Sequence, residues 1–186
     1  MQERNNVLRI LKESLSAITS NNPEKLISLS NQTIHSAAIF QDPDNIIVAV
    51  LIYSLGKIFE RESYKNKEGW DSFYQECISE LKNAIYFLEK EDLEKFRSSL
   101  GKIRESANKI EGELREYIQD IFYKAQINKA FKIYEHGISS ERTAKLLGIS
   151  LWDLSSFIGQ SNVYEAHLYE KVSIKERIKL LEEFLK

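Results

Sequence analysis

The sequence is poor in the residues that interrupt helices or cross-link a chain. Its 186 residues include two prolines, seven glycines and one cysteine. So few helix-breaking residues favour long helices. The one cysteine, Cys77, has no second cysteine with which to form an internal disulfide. We therefore expect a reduced thiol and an intracellular protein.

Long apolar runs and an excess of charge of one sign are also missing. The longest apolar run covers residues 46–53, well short of the roughly 20 residues that span a bilayer. The first residues of the chain contain no apolar segment typical of a secretory signal. We therefore expect a soluble, cytoplasmic protein without membrane contact. Because the formal net charge is −2, any contact with nucleic acid must come from a local patch.

Familiar catalytic and metal-binding motifs do not occur either. The three histidines, His35, His136 and His167, are scattered and do not have the spacing of zinc ligands. No Walker loop, Gly-x-Gly-x-x-Gly or Gly-x-Ser-x-Gly motif is found. Helical ribonucleases of the HEPN class need an arginine shortly before a histidine, but only Lys132 precedes His136. We therefore predict a protein that is not an enzyme, with no catalytic residue, metal or cofactor.

What the sequence does contain is helical periodicity, which predicts an all-α fold. Apolar residues recur at helical spacing, and helix starts are expected near Glu3, Pro23, Pro43 and Trp70. Residues 46–59 are apolar on every side, which predicts a helix that the others pack against. A β-strand is the alternative for this segment, because it is rich in β-branched residues.

The most regular pattern lies in residues 93–121, where apolar residues alternate steps of three and four. They are Leu93, Phe96, Leu100, Ile103, Ala107, Ile110, Leu114, Tyr117 and Ile121. Such a seam predicts one long heptad helix of a coiled coil or bundle, about 45 Å long. It could form a helical hairpin within residues 70–122 or act as a dimerisation helix. The short connection before it favours the hairpin.

The pattern changes from about Ala125 onward. Gly137 and Gly148 stand where helices are expected to end, and Ser139 and Ser150 where the next ones are expected to begin. This spacing predicts a helix-turn-helix, in which two helices cross through a short turn that often contains glycine.

Small and apolar residues fit the same motif. Ala144 is small where the following helix must pass over it, and Ile149 and Leu154 can pack between the helices. The second helix of the motif is predicted over residues 151–158, with Gly159 ending it.

The two patterns divide the chain into two predicted domains. Residues 1–122 form a helical bundle and residues 125–186 form the helix-turn-helix domain. A last amphipathic helix is predicted over residues 173–186, with Ile174, Ile178, Leu181 and Leu185 on one face.

The motif resembles a known group of proteins. The pattern Gly-x-Ser-x-x-x-x-Ala-x-Leu-Leu-Gly-Ile-Ser-x-Trp-Asp/Glu-Leu is similar to that of prokaryotic, especially archaeal, antitoxin-like helix-turn-helix proteins. The matching residues are Gly137, Ser139, Ala144, Leu146, Leu147, Gly148, Ile149, Ser150, Trp152, Asp153 and Leu154. The resemblance covers mainly residues 127–160. It implies a DNA-binding transcriptional regulator or antitoxin, paired with a PIN-domain nuclease toxin in many members. We also expect a homodimer, because such proteins commonly bind paired half-sites.

This hypothesis assigns a set of residues to DNA. The predicted DNA-binding residues are Arg142, Lys145, Leu151, Trp152, Ser155, Ser156 and Gln160. Phosphate contacts are expected from Arg142 and Lys145, with Lys129 and Lys132 as further candidates. The alternative is a helical protein–protein interaction module that binds no DNA, with Trp152 as an exposed anchor or as a core residue. A helical enzyme is the third possibility.

Overall fold

The computed structural model describes residues 1, 3–40 and 42–169. Throughout this part of the chain the regular structure is helical, with no strand, which confirms the all-α prediction. The helices are α1 (Arg4–Thr19), α2 (Pro23–Phe40), α3 (Pro43–Glu60), α4 (Trp70–Glu89), α5 (Leu93–Ser106), α6 (Gly112–Glu135), α7 (Ser140–Leu147) and α8 (Leu151–Tyr169). None of these helices combines the length and apolar character needed to cross a bilayer. The helix predicted over residues 173–186 lies outside the described residues.

The starts of α2 and α3 follow the local sequence signals. Asn22 Oδ1 accepts a hydrogen bond from the backbone N–H of Lys25, and Asp42 Oδ1 accepts one from Asp44. In each case a side chain satisfies a backbone donor that the first helical turn leaves free. The segment for which a strand was the alternative is helical, because α3 runs without interruption from Pro43 to Glu60.

A large core holds the first five helices and the start of α6 together. Helix α3 packs against α1, α2, α5 and α6, which explains why its apolar residues surround the helix. At one end of this core, Phe59 meets Trp70 and Phe73 in edge contacts, with ring centroids 5.7 and 6.4 Å away. Such arrangements let the positive edge of one ring face the negative face of another.

The prediction of a single long helix over residues 93–121 is wrong. The chain is helical in α5, passes through a short 3₁₀ turn at Ala107–Lys109 and becomes extended at Ile110. Helix α6 then begins at Gly112, whose φ is +66°. The heptad pattern continues across the break because most of its residues are buried in both segments. Periodicity alone therefore could not reveal the change of direction.

The break also shifts the buried face of the helix that follows. Tyr117 and Ile121 of the predicted seam are only partly buried. The buried stripe of α6 consists instead of Leu114, Ile118, Phe122, Ala125, Lys129, Ala130 and Ile133. The antiparallel hairpin is therefore formed by α4 and α5, which pack along each other. Helix α6 leaves that hairpin and packs against α3 and α2.

A second, smaller core lies around the other half of α6. It includes Ile34, Ile46, Ala49, Ala130, Ile133, Ile138, Ala144, Leu147 and Leu154. Helices α7 and α8 thus share a core with α2, α3 and α6. The domain boundary predicted at residues 122–125 falls inside α6, close to where its buried residues pass from the larger core to the smaller one.

A tight turn joins α7 to α8. Gly148 has φ +64° and ψ 31°, and its N–H donates to Lys145 O, while the N–H of Ile149 donates to Ala144 O. This is the Schellman pattern, in which a left-handed residue satisfies the last carbonyls of a helix. The predicted end of α8 at Gly159 is wrong, because the helix continues to Tyr169. One glycine lowers the stability of a helix by only about 1 kcal/mol relative to alanine, and the surrounding residues compensate for this loss.

Replacing Gly112 with alanine tests the conformation at the start of α6. A Cβ there would meet no atom within 4 Å, so only the positive φ opposes it. We expect Gly112→Ala to lower the free energy of unfolding by about 1 kcal/mol, measured by urea denaturation. The matched control is Gly101→Ala in α5, where a Cβ also meets nothing and φ is ordinary. The free energy of unfolding of Gly101→Ala should rise by roughly 0.5–1 kcal/mol. Equal effects of the two substitutions would contradict this account of the break.

Candidate nucleic-acid interface

Helices α7 and α8 begin at serine caps. Ser139 Oγ accepts a hydrogen bond from the N–H of Arg142 at 3.4 Å. Ser150 Oγ accepts one from the N–H of Asp153 at 3.0 Å and donates one to the Asp153 carboxylate at 2.6 Å. These contacts occupy donors that the first helical turn leaves free, and they fix where each helix starts.

The inner side of the pair matches the packing that the sequence predicted. Ala144, Leu147 and Leu154 are buried together with Ile138, and Ile149 is partly buried against them. The Nε2 amide of Gln126 donates to Leu147 O at 3.2 Å, tying the end of α7 to α6. The outer side of α7 and α8 is held in place by these contacts.

The outer side carries most of the residues that the sequence assigned to DNA. The exposed ones are Arg142, Lys145, Leu151, Trp152, Ser155 and Gln160, and we call this surface the α7–α8 face. Ser156, the seventh predicted residue, is only partly exposed. The Trp152 side chain is 79% exposed, so it is not a core residue.

The two cations of the α7–α8 face are both exposed. In the part of the chain that the structure describes, neither Arg142 nor Lys145 takes part in an ion pair, whereas Lys132 pairs with Glu135 at 2.8 Å. Arg142 and Lys145 lie three positions apart and so share one side of α7. They are available to an external anion, while the charge of Lys132 is partly neutralised.

Two anions lie on or beside this face. Glu141 is exposed on α7, four residues before Lys145. The Asp153 carboxylate accepts hydrogen bonds from Ser150 and from the Tyr123 hydroxyl, and these bonds lower its pKa. The same contact raises the pKa of Tyr123. Asp153 therefore stays ionised, next to Trp152 in sequence. Phosphates would be repelled there, so an approaching polyanion would have to contact the α7 side.

Lys129 is not a surface residue, and its predicted role as a phosphate contact is wrong. Its side chain is fully buried. The ammonium donates to Asn31 Oδ1 at 2.8 Å and lies 4.2 Å from the centroid of the Tyr53 ring. The sequence did contain a signal for this position. Lys129 stands four residues after Ala125 and four before Ile133, inside the buried stripe of α6.

Burial changes the protonation of Lys129. Loss of hydration, followed by the repulsion of Lys132, lowers the pKa of the ammonium to about 8. The face of the Tyr53 ring and the Asn31 oxygen both favour the cation. At neutral pH the side chain therefore remains mostly charged. It has no carboxylate partner among the described side chains.

Two histidines that the sequence left scattered meet where α2 passes the end of α6. The rings of His35 and His136 are 5.2 Å apart, centroid to centroid, and meet edge to face. Both side chains are exposed. No group of three or more potential metal ligands exists among the described residues. Cys77 is buried, and burial strongly raises the pKa of its thiol, so it is not a nucleophile at neutral pH.

The pH dependence of stability tests the burial of Lys129. At about pH 7 we expect Lys129→Met to raise the free energy of unfolding by about 1–2 kcal/mol, because a buried charge is replaced by an apolar side chain. Above a pKa of about 8 the folded wild type releases its proton, whereas the unfolded chain keeps it to about pH 10. Wild-type stability then rises with pH.

In urea titrations, the free energy of unfolding of Lys129→Met should therefore exceed that of the wild type by less at about pH 10 than at about pH 7. Lys132→Met is the control, since Lys132 is an exposed lysine of the same helix. It should show little effect at either pH. If this difference in the free energy of unfolding stays constant or grows with pH, Lys129 does not titrate as described.

In comparisons with known proteins, no family model, no curated protein and no solved structure matches this chain. Its function therefore has to be inferred from its sequence, its fold and the chemistry of its surface.

Proposed function

We propose that α6, α7 and α8 form a helix-turn-helix unit that binds duplex DNA, and that the protein is a transcriptional regulator or antitoxin. The observation that carries this proposal is the pair of exposed cations Arg142 and Lys145 on α7, which form no ion pair with the described residues and lie beside the exposed Leu151 and Trp152 of α8. The left-handed Gly148 turn and the buried Ala144 are what such a unit requires.

The chemistry of α8 suits its insertion into the major groove. In this class of proteins the second helix enters the groove with its N-terminal residues toward the base edges. Ser155 and Gln160 supply hydroxyl and amide groups for base edges, and Leu151 and Trp152 supply apolar contacts for thymine methyl groups. Arg142 and Lys145 would contact the phosphates and orient the helix.

The charge of this region limits the affinity of one copy. Residues 112–161 contain six basic and six acidic side chains, so they do not form a strongly positive surface. Most of the sequence-independent affinity of DNA-binding proteins comes from neutralised phosphates. We therefore propose that the protein binds DNA as a homodimer, because two linked half-site contacts bind far more tightly than one.

Removing the two free cations tests DNA binding. The probe is a fluorescent duplex that covers the promoter of the protein's own gene, and anisotropy is recorded at several salt concentrations. For Arg142→Ala with Lys145→Ala we expect affinity to fall at least about tenfold. We also expect the slope of log K against log salt to drop by about 3–4, because about two phosphate contacts are lost from each of the two copies.

The matched control removes one lysine and one arginine elsewhere. Lys82 in α4 and Arg104 in α5 are also exposed, and no ion pair is described for either. The variant Lys82→Ala with Arg104→Ala changes the net charge equally and should keep the wild-type affinity and slope. Equal losses in the two variants, or no binding by the wild type at low salt, would refute the DNA proposal.

A second function is favoured by one specific observation. Leu151 and Trp152 on α8 and Tyr123 on α6 are large apolar side chains that are all exposed. Exposed tryptophan is common at the centre of protein interfaces. The α7–α8 face would then bind a protein, either a toxin or a second copy of the chain, instead of DNA.

Trp152→Ala separates the two functions. If the face binds a second copy of the chain, this substitution should convert a dimer to a monomer in light scattering, while Arg142→Ala with Lys145→Ala leaves the mass unchanged. If the face binds DNA, Trp152→Ala should weaken duplex binding without changing the mass.

A further inference from the structure

An open groove runs along the exposed side of α2, apart from the α7–α8 face. Its volume is about 700 Å³, and it is lined by Glu24, Ile27, Ser28, Asn31, Gln32 and His35. We call it the α2 groove. One end of it adjoins the C-terminal part of α6, because Asn31 is bonded to Lys129 and the His35 ring contacts His136.

A buried cation lies directly beneath that end of the groove. Lys129 is fully buried, and its one described hydrogen bond goes to the neutral amide of Asn31. The charged group that shifts its pKa is another cation, Lys132. A buried charge without an opposite partner is costly to stability, and such groups are concentrated at functional sites. Among the described residues, the positive potential of Lys129 is thus left without a counter-charge.

The hydrogen bond from Lys129 also fixes the orientation of the Asn31 amide. An ammonium has donors only, so it must meet the amide oxygen. The Nδ2 group, which carries two donors, is then turned away from Lys129. Asn31 is exposed, and no hydrogen bond of Nδ2 is described. His35 follows Asn31 by four residues and so lies on the same side of α2, and its ring contacts that of His136. Both rings therefore add N–H donors to this end of the groove.

We propose that this end of the α2 groove binds a phosphoryl group, carried either by a nucleic-acid strand or by a small phosphorylated molecule. Asn31 Nδ2, His35 and His136 donate to the phosphoryl oxygens. Lys129 is a positioning residue, which orients the Asn31 amide and supplies the field that attracts the anion. Glu24 lies seven residues before Asn31 on α2, about 10 Å along the helix, so the anion is bound at the opposite end from this carboxylate.

The decisive variant is Asn31→Asp, which offers Lys129 a carboxylate of the same shape. The probe is inorganic phosphate, titrated by calorimetry or amide NMR shifts at constant ionic strength. We expect Asn31→Asp to weaken phosphate binding at least tenfold, because the new carboxylate neutralises Lys129 and repels the anion. Thermal stability should stay equal or rise, since a buried cation gains its partner. The loss of binding would then not come from unfolding.

The control is Gln32→Glu, which adds the same charge in the same groove one residue away. Gln32 accepts a hydrogen bond from Arg9 and makes no described contact with Lys129. We expect its effect on phosphate binding to stay below about threefold, as for an exposed, screened charge. If both variants weaken binding equally, only general electrostatics is at work and the proposed site is wrong. It is also wrong if the wild type binds no phosphate or if Asn31→Asp binds it like the wild type.

Lys129→Met gives an independent check on the positioning role. It removes the cation from beneath the groove while leaving Asn31, His35 and His136 in place. Phosphate affinity should fall by a similar factor to that of Asn31→Asp. An unchanged affinity would refute the role of Lys129.

Two further ligands distinguish the source of the phosphoryl group. A single-stranded oligonucleotide whose affinity falls at least tenfold in Asn31→Asp supports a nucleic-acid strand as the source. A loss confined to inorganic phosphate and mononucleotides supports a small molecule. The test is independent of the duplex-binding proposal, because Arg142→Ala with Lys145→Ala should leave phosphate binding in the α2 groove unchanged.

Discussion

The path of α6 is the constraint on which the rest of the structure depends. The extended Ile110 and the left-handed Gly112 turn the chain out of the α4–α5 hairpin. The first half of α6 then contributes Leu114 and Ile118 to the larger core, and its second half contributes Ile133 to the smaller one. Because one continuous helix belongs to both cores, α7 and α8 are packed on the same framework as α2 and α3.

That framework contains a conflict between packing and charge. The buried stripe of α6 includes Lys129, where an apolar side chain would be more stable. Its only described neighbours that favour the cation are the Asn31 amide and the Tyr53 ring. Neither carries a negative charge. The cation therefore projects its field through Asn31 into the α2 groove, which is the physical basis for an anion site there.

The α7–α8 face follows a different logic. Its geometry is set by buried small and apolar residues such as Ala144 and Leu154, whereas its chemistry is set by exposed ones. The exposed cations on α7 favour binding of a polyanion, and the exposed Trp152 favours a close contact with either DNA or a protein. The ionised Asp153 restricts the side from which a polyanion can approach. DNA binding and protein binding thus share the same surface and differ in which of its residues provide the affinity.

Much of this fold was readable in the sequence. Pro43 and the serine and glycine caps act through local hydrogen bonds and backbone preferences, which depend only on neighbouring residues. Most helix starts and the Gly148 turn were therefore predicted correctly, whereas the start of α6 at Gly112 was not. Exposure of six of the seven predicted interface residues also followed from helical periodicity. The resemblance to antitoxin-like proteins stays a prediction.

Other features depended on contacts that are distant in sequence. The heptad pattern continues through residues 107–112, so it could not show that α6 changes direction there. Gly159 does not end α8, because one unfavourable residue is outweighed by the rest of the helix. The partnership of Lys129 with Asn31 joins residues 98 positions apart. Local chemistry therefore determined where most helices begin and end, whereas only tertiary packing decided which residues meet, because burial and charge pairing depend on how the helices are brought together.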